Sequence, residues 1–239
     1  MANILEKYGI KEVADVTFYD IKSGAPVLYL DTLKVSTIEQ TAENVSARGG
    51  KGNPELIIWD YNKEITVTLE DALFSAKSMA VMFGNDTVAE NSETSLYRTM
   101  IVHGTDAIPT QFNIANKTVN ITPGTIYIAG TTTSTTSESR EASKDYLVTY
   151  SFTVSGGREI VINSDTFPST YKVVGDTYAR SEVDGTDELF QFVIPKAKVL
   201  SEVTLTMEAE GDPSTFNLNL KVLRPEDKQM MKLIQYKLG

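Results

Sequence analysis

TLTMEAEGDPSTFNLNLKV, residues 204–222, is the stretch whose reading decides the fold of this 239-residue chain. Val203, Leu205 and Met207 alternate with Glu202, Thr204, Thr206 and Glu208; after the turn Glu210-Gly211-Asp212-Pro213, Phe216, Leu218, Leu220 and Val222 alternate with Thr215, Asn217, Asn219 and Lys221. Period-two patterning on both sides of a turn predicts two neighbouring strands. Each has one apolar and one polar face, so the pair needs a second layer to cover the apolar side, which implies one wall of a β-sandwich or barrel. Nothing in the stretch carries reactive chemistry.

Working outward, the same signal recurs. Phe190, Phe192 and Ile194 alternate up to Pro195, which has no N–H to donate to a ladder and so belongs at a strand end, an edge or a bulge. Gly175-Asp176 and residues 155–158 (SGGR) read as hairpin turns between apolar runs. Val16 and Phe18, the run at 27–30, and Leu33, Val35 and Thr37 predict strands near the N-terminus. Residues 55–61, with the sole tryptophan Trp59, and the alternating Ile65, Val67 and Leu69 predict a hairpin across Asn62. The tail at 227–239 reads as a last strand or a short helix, and the lack of a clean helical stripe through Met231, Leu233 and Gln235 favours the strand.

The period changes once. Thr68-Leu69-Glu70-Asp71 matches a capping box, Leu73, Ala76, Ala80 and Phe83 share a helical stripe, and Gly84 supplies a stop, so one helix is expected over about 68–83. Its apolar stripe should lie across a sheet edge or close a barrel mouth. Residues 41–54 (TAENVSARGGKGNP) and 85–95 are polar and without period, predicting long loops, and the Thr/Ser-rich stretch 130–143 predicts a loop or hairpin tip. The fold class is therefore mainly β: a sandwich or barrel with one flanking helix and long loops. The chain reads as a single domain over 1–239, with about 85–185 as a candidate inserted β subdomain or decoration.

Composition excludes more than it assigns. The formal net charge of −10, with cations scattered, disfavours grip on nucleic acid or anionic membranes. With no cysteine and one histidine, there are neither disulfides nor the ligands for a His/Cys metal site. The start of the chain lacks the apolar core of a signal peptide, and the longest apolar run, 79–83, is far too short to span a bilayer. No serine sits in a nucleophile elbow, and His103 reads as a turn or interface residue, so no enzyme is indicated and no cofactor. Arg48-Gly49-Gly50-Lys51-Gly52 fails the phosphate-loop test, because Val45 stands where the first glycine is needed and Gly52 follows the lysine. A cationic glycine-rich segment on an acidic protein is instead a candidate contact to a neighbouring subunit. The carboxylates at 184–188 depart from the calcium-loop spacing and read as a solvated turn.

Residues 190–199 (FQFVIPKAKV) and 203–223 (VTLTMEAEGDPSTFNLNLKVL), with the helix segment 68–84, resemble the tail-tube proteins of tailed bacteriophages. The resemblance covers about half of the chain, and residues 85–185 have no counterpart in it. It implies a structural virion protein, made in the bacterial cytoplasm, whose copies form stacked and sixfold rings around a channel through which DNA passes without specific binding. Its partners would be itself and other tail proteins such as tape measure, sheath or baseplate. Within it, Arg48, Gly49, Gly50, Lys51 and Gly52 would bridge subunits, and the polar series Glu202, Thr204, Thr206, Glu208, Asn217 and Asn219 is the candidate channel face. The rival readings are a baseplate, initiator or connector subunit of the same fold and a β-sandwich surface adhesion module.

Overall fold

The computed structural model describes residues 7–85, 88–114, 117–205 and 215–236. In chain order the strands are β1 (Tyr8–Ile10), β2 (Asp15–Asp20), β3 (Pro26–Leu30), β4 (Leu33–Arg48) and β5 (Glu55–Asp71). The helix α1 (Ala76–Met82) follows, then β6 (Ala89–His103), β7 (Gln111–Ile114), β8 (Lys117–Asn120), β9 (Thr122–Ile128) and β10 (Ser134–Thr135). Past a 3-10 turn at Ser137–Ser139 come β11 (Asp145–Glu159), β12 (Thr170–Ser181), β13 (Asp187–Val199), β14 (Phe216–Val222) and β15 (Lys232–Tyr236). Contacts divide the chain into two units: residues 1–88 with 160–239, and residues 89–159.

The first unit is a nine-stranded antiparallel sheet ordered β3-β2-β12-β13-β14-β5-β4, with β1 added to β12 and β15 added to β13. Apolar alternation drives it: Val16 and Phe18 of β2, Val67 and Leu69 of β5, Phe192 and Ile194 of β13, and Leu218 and Leu220 of β14 all bury into one core. Because both halves of the sheet feed that core, the sheet packs on itself in a sandwich-like manner, without closing into a barrel.

Pro195 shows how the sheet changes partner. On one edge of β13, residues 189–193 pair with β15 and residues 197–199 pair with β14. The register against β12 shifts between Tyr171 and Val173, opposite the proline. The missing N–H thus falls at a bulge, where the ladder is interrupted anyway.

Several expectations are corrected. Residues 202–205 form no strand, and 206–214 lie outside the described residues; β14 pairs instead with β5 and β13. The helix is shorter than 68–83: Thr68, Leu69, Glu70 and Asp71 belong to β5, and the capping box is Ser75–Ser78, where Ser75 Oγ accepts from Ser78 N at 3.0 Å and Ser78 Oγ from Ser75 N at 2.9 Å. Ladder pairing of Leu69 with Leu218, in a fully buried row, outweighs the local capping motif. Leu73, assigned to the helical stripe, precedes the helix and is exposed. The helix buries Ala80, Val81 and Met82 and packs against β3, an edge strand. Neither Asn62 nor Gly175-Asp176 nor the 155–158 segment is a hairpin turn: each lies inside a continuous strand. The 85–95 stretch enters β6 at Ala89.

The second unit holds the four-stranded sheet β10-β9-β11-β6 and the hairpin β7-β8. Its core gathers Val102, Phe112, Ile121, Ile126, Tyr146, Val148, Tyr150 and Phe152, with Phe112 meeting the Tyr150 ring edge-on at 4.9 Å. The 130–143 stretch is tied down by Arg140, which donates to the Gly104 and Asp106 carbonyls at 3.1 and 2.7 Å.

At one end of β6, His103 Nδ1 lies 2.7 Å from the Asp145 carboxylate. The hydrogen bond to Asp145, reinforced by its charge, raises the imidazole above its ordinary 6.5. Stabilisation from this contact is complete below that ordinary value and is lost as pH rises through the raised one. Proton NMR of the sole histidine should show a titration midpoint above 6.5 that falls toward it in Asp145→Asn; an unchanged midpoint in the variant would remove Asp145 as the cause.

Candidate assembly interface

The 41–54 segment, expected to be a loop, is the far end of a long hairpin. Beyond residue 41, β4 and β5 keep pairing through Glu43↔Tyr61, Val45↔Trp59 and Ala47↔Ile57 and close at residues 49–54. Gly50, Gly52 and Asn53 there all have positive φ, which explains the glycines: the turn needs left-handed backbone that a branched residue resists. Gly49 N donates to the Pro54 carbonyl at 3.2 Å and Asn53 N to that of Gly50 at 3.1 Å.

A bulge at Asn62 (φ 50) reorganises the strand. One residue of β4, Ala42, faces two of β5, Asn62 and Lys63, so the alternation of β5 changes parity there. Toward the body of the unit, Ile65, Val67 and Leu69 are buried. Toward the tip, Ile57, Trp59 and Tyr61 share one face with Val45, and Leu56 and Ile58 lie on the other. All six are exposed, at between 47% and 62%. An arm two strands thick has no interior, so these side chains have nothing in their own protomer to bury against.

The predicted interface residues sit at the tip of this arm. Arg48 ends β4 and lies 3.4 Å from Glu55, an exposed pair of little energetic weight. Gly49, Gly50, Lys51 and Gly52 form the turn, with Lys51 exposed. The sequence reading missed the apolar flank beside them. The signal was present in the apolar run at 55–61, which in sequence reads only as one strand of a hairpin across Asn62.

The predicted channel-facing residues are only partly brought together. Asn217 and Asn219 lie on β14, cross-strand from Glu70 and Thr68, and Thr68 Oγ1 meets Asn219 Oδ1 at 3.2 Å. Alternation puts Thr66 and Glu64 on the same outer face, and Lys221 Nζ is held by Glu64 at 2.8 Å. Glu202 and Thr204 are exposed but lie off the strands, and Thr206 and Glu208 fall outside the described residues. The result is a polar sheet face with two cross-strand lysines, Lys221 paired to the Glu64 carboxylate and Lys198 donating to the Pro168 carbonyl.

Other chemistry is sparse. Among the described residues, no group of three or more His, Asp or Glu side chains is placed to hold a metal ion, and no helix is long and apolar enough to cross a membrane. Asp184 caps its own turn through the Thr186 amide and hydroxyl, and Asp187 grips Arg180 by two bonds of 2.6 and 2.7 Å.

A model of the YomU/Tube protein family matches residues 8–235. The chain is also similar to the tail tube protein of Bacillus phage SPR, at 24% identity over 235 residues that cover 94% of this chain and 87% of that protein.

Proposed function

Since the chain belongs to the YomU/Tube protein family, we propose that it is a structural protomer of a phage tail tube, assembling with itself into stacked rings around a DNA channel. The observation that carries the assembly part is the arm: apolar side chains on both faces of a two-stranded hairpin gain a covering only from another molecule. β4 and β3 are also edge strands, and joining neighbours along such edges would cover their unpaired backbone groups. A closed ring satisfies both needs with one repeated heterologous contact, and sixfold closure is the symmetry assigned here.

In this reading the arm tip, Arg48 to Gly52, reaches a neighbour, and the polar face of Asn217, Asn219, Thr66, Thr68 and Glu70 lines the lumen. Pairing Lys221 with Glu64 lowers the grip of this face on DNA, because each cation–phosphate contact releases counterions and adds affinity. Residues 89–159, the second unit, are assigned the role of a decoration. The protein acts without catalysis or cofactor, in the virion tail, alongside other tail proteins.

Electron microscopy of the purified protein over rising concentration tests this. Rings or tubes with a central channel and six subunits per turn are expected. A monomer at every concentration would overturn the assembly, and a different ring number would overturn the sixfold closure.

A further inference from the structure

We propose that Trp59 of one copy docks in an apolar pocket at the base of β4 in a second copy, donating its indole N–H to the Ser36 hydroxyl. The proposal rests on the reading above that the arm contacts another protomer, and it names the receiving site.

The pocket has a volume of about 350 Å3 and opens between β4, β12, β13 and β15. Its floor is Phe192 and Thr177, both buried, and its rim includes Ile10 and Leu233, both more than half exposed. Such a volume falls within the ordinary range for ligand pockets, and it takes an indole with a flanking aliphatic side chain. Ser36 lines this pocket, and its Oγ is buried with no hydrogen-bond partner among the described residues. Thr177, the other hydroxyl there, is already committed to the Glu12 carbonyl at 3.0 Å. The site thus offers one unused acceptor inside an apolar recess, and buried polar groups are rarely left unpaired.

The arm offers the complement. Trp59 is half-exposed, carries one N–H donor and no acceptor, and is flanked on its own face by Ile57 and Tyr61. A tryptophan that becomes buried ordinarily finds a partner for that N–H. Glu12 is the one charged residue lining the pocket, and Lys51 at the arm tip is a cation of opposite sign. The occupant cannot be the chain's own arm. Trp59 pairs with Val45, nine residues along the continuous strand β4 from Ser36, a separation of about 30 Å. Only a second copy brings the two together.

Trp59 is the sole tryptophan, so intrinsic fluorescence reports its burial directly. Wild-type protein should show an emission blue shift that grows with concentration, in step with assembly by sedimentation velocity. Leu233→Asp and Ile10→Asp, at exposed rim positions that the fold tolerates, should keep the circular dichroism spectrum, lose the blue shift and stay monomeric. Ser36→Ala and Trp59→Phe should each weaken association by about three- to tenfold, and the double variant no more than either alone, because both remove one hydrogen bond. Mixing Leu233→Asp, which keeps a working arm, with Trp59→Ala, which keeps a working pocket, should restore association that neither shows alone. If the rim variants and Ser36→Ala assemble as wild type while Trp59→Ala does not, the pocket assignment is wrong and the arm reading stands. If wild-type assembly leaves the emission unshifted, the arm reading fails with it.

Discussion

Ile57→Asp, Trp59→Asp and Tyr61→Asp combined are expected to yield a folded protomer that does not assemble at any attainable concentration. The three side chains occupy one face of the arm beyond the Asn62 bulge and are between 47% and 52% exposed. Their burial in a contact would recover roughly half of the 1.5–3 kcal/mol that full burial of a large apolar side chain contributes, so about 3 kcal/mol for the face. Carboxylates in their place add a desolvation cost at the same contact. A change of about 4–5 kcal/mol per contact weakens pairing by roughly a thousandfold, and a ring repeats that contact at every subunit. The body of the unit should be indifferent, because the nearest core residue, Ile65, lies on the other side of the bulge. Sedimentation velocity with circular dichroism measures both halves of this expectation. Tubes formed at wild-type concentration would show that the apolar face is not the contact, and a collapsed spectrum would show that the arm is part of the protomer's own fold.

What the sequence revealed and what it hid follow from which faces are buried. Ile65, Val67 and Leu69, or Phe216, Leu218 and Leu220, are legible because one side of each strand meets the core and the other meets water, which writes a period of two into the chain. Residues 41–48 carry no such period although they are strand, since an arm without an interior imposes no alternation on its sequence. Glycine was misleading for a related reason: a turn, a bulge and a close approach of side chains all select it or Asn. Gly156 takes positive φ inside β11 and Asn62 does so inside β5, while Gly157 sits where a Cβ would collide with Thr94. At 202–205 the alternation is real but short, and no neighbouring ladder takes it up. The polar face at Asn217 and Asn219 was legible on β14; its partners Thr68 and Glu70 were lost because a local capping motif drew part of β5 into a helix that begins at Ala76.

Gly175 separates these uses of glycine experimentally. It lies mid-strand in β12, cross-strand from Phe192, and its φ is not in the left-handed region. A Cβ built there would land within the Phe192 ring. The glycine therefore makes room for a core aromatic rather than turning the chain. Gly175→Ala should destabilise the unit by about 2–3 kcal/mol through overpacking, and Phe192→Ala by about 3–5 kcal/mol through the cavity it leaves. In the double variant the alanine at 175 meets no ring, so the combined loss should fall short of the sum by most of the first cost. Denaturant unfolding followed by far-ultraviolet circular dichroism measures all three. Strict additivity would mean that Gly175 serves the backbone alone. Phe192 also forms the floor of the proposed docking pocket, so the same variants connect core and assembly. Gly175→Ala pushes the ring toward the recess that Trp59 would occupy, and association should weaken even at temperatures where the protomer remains folded.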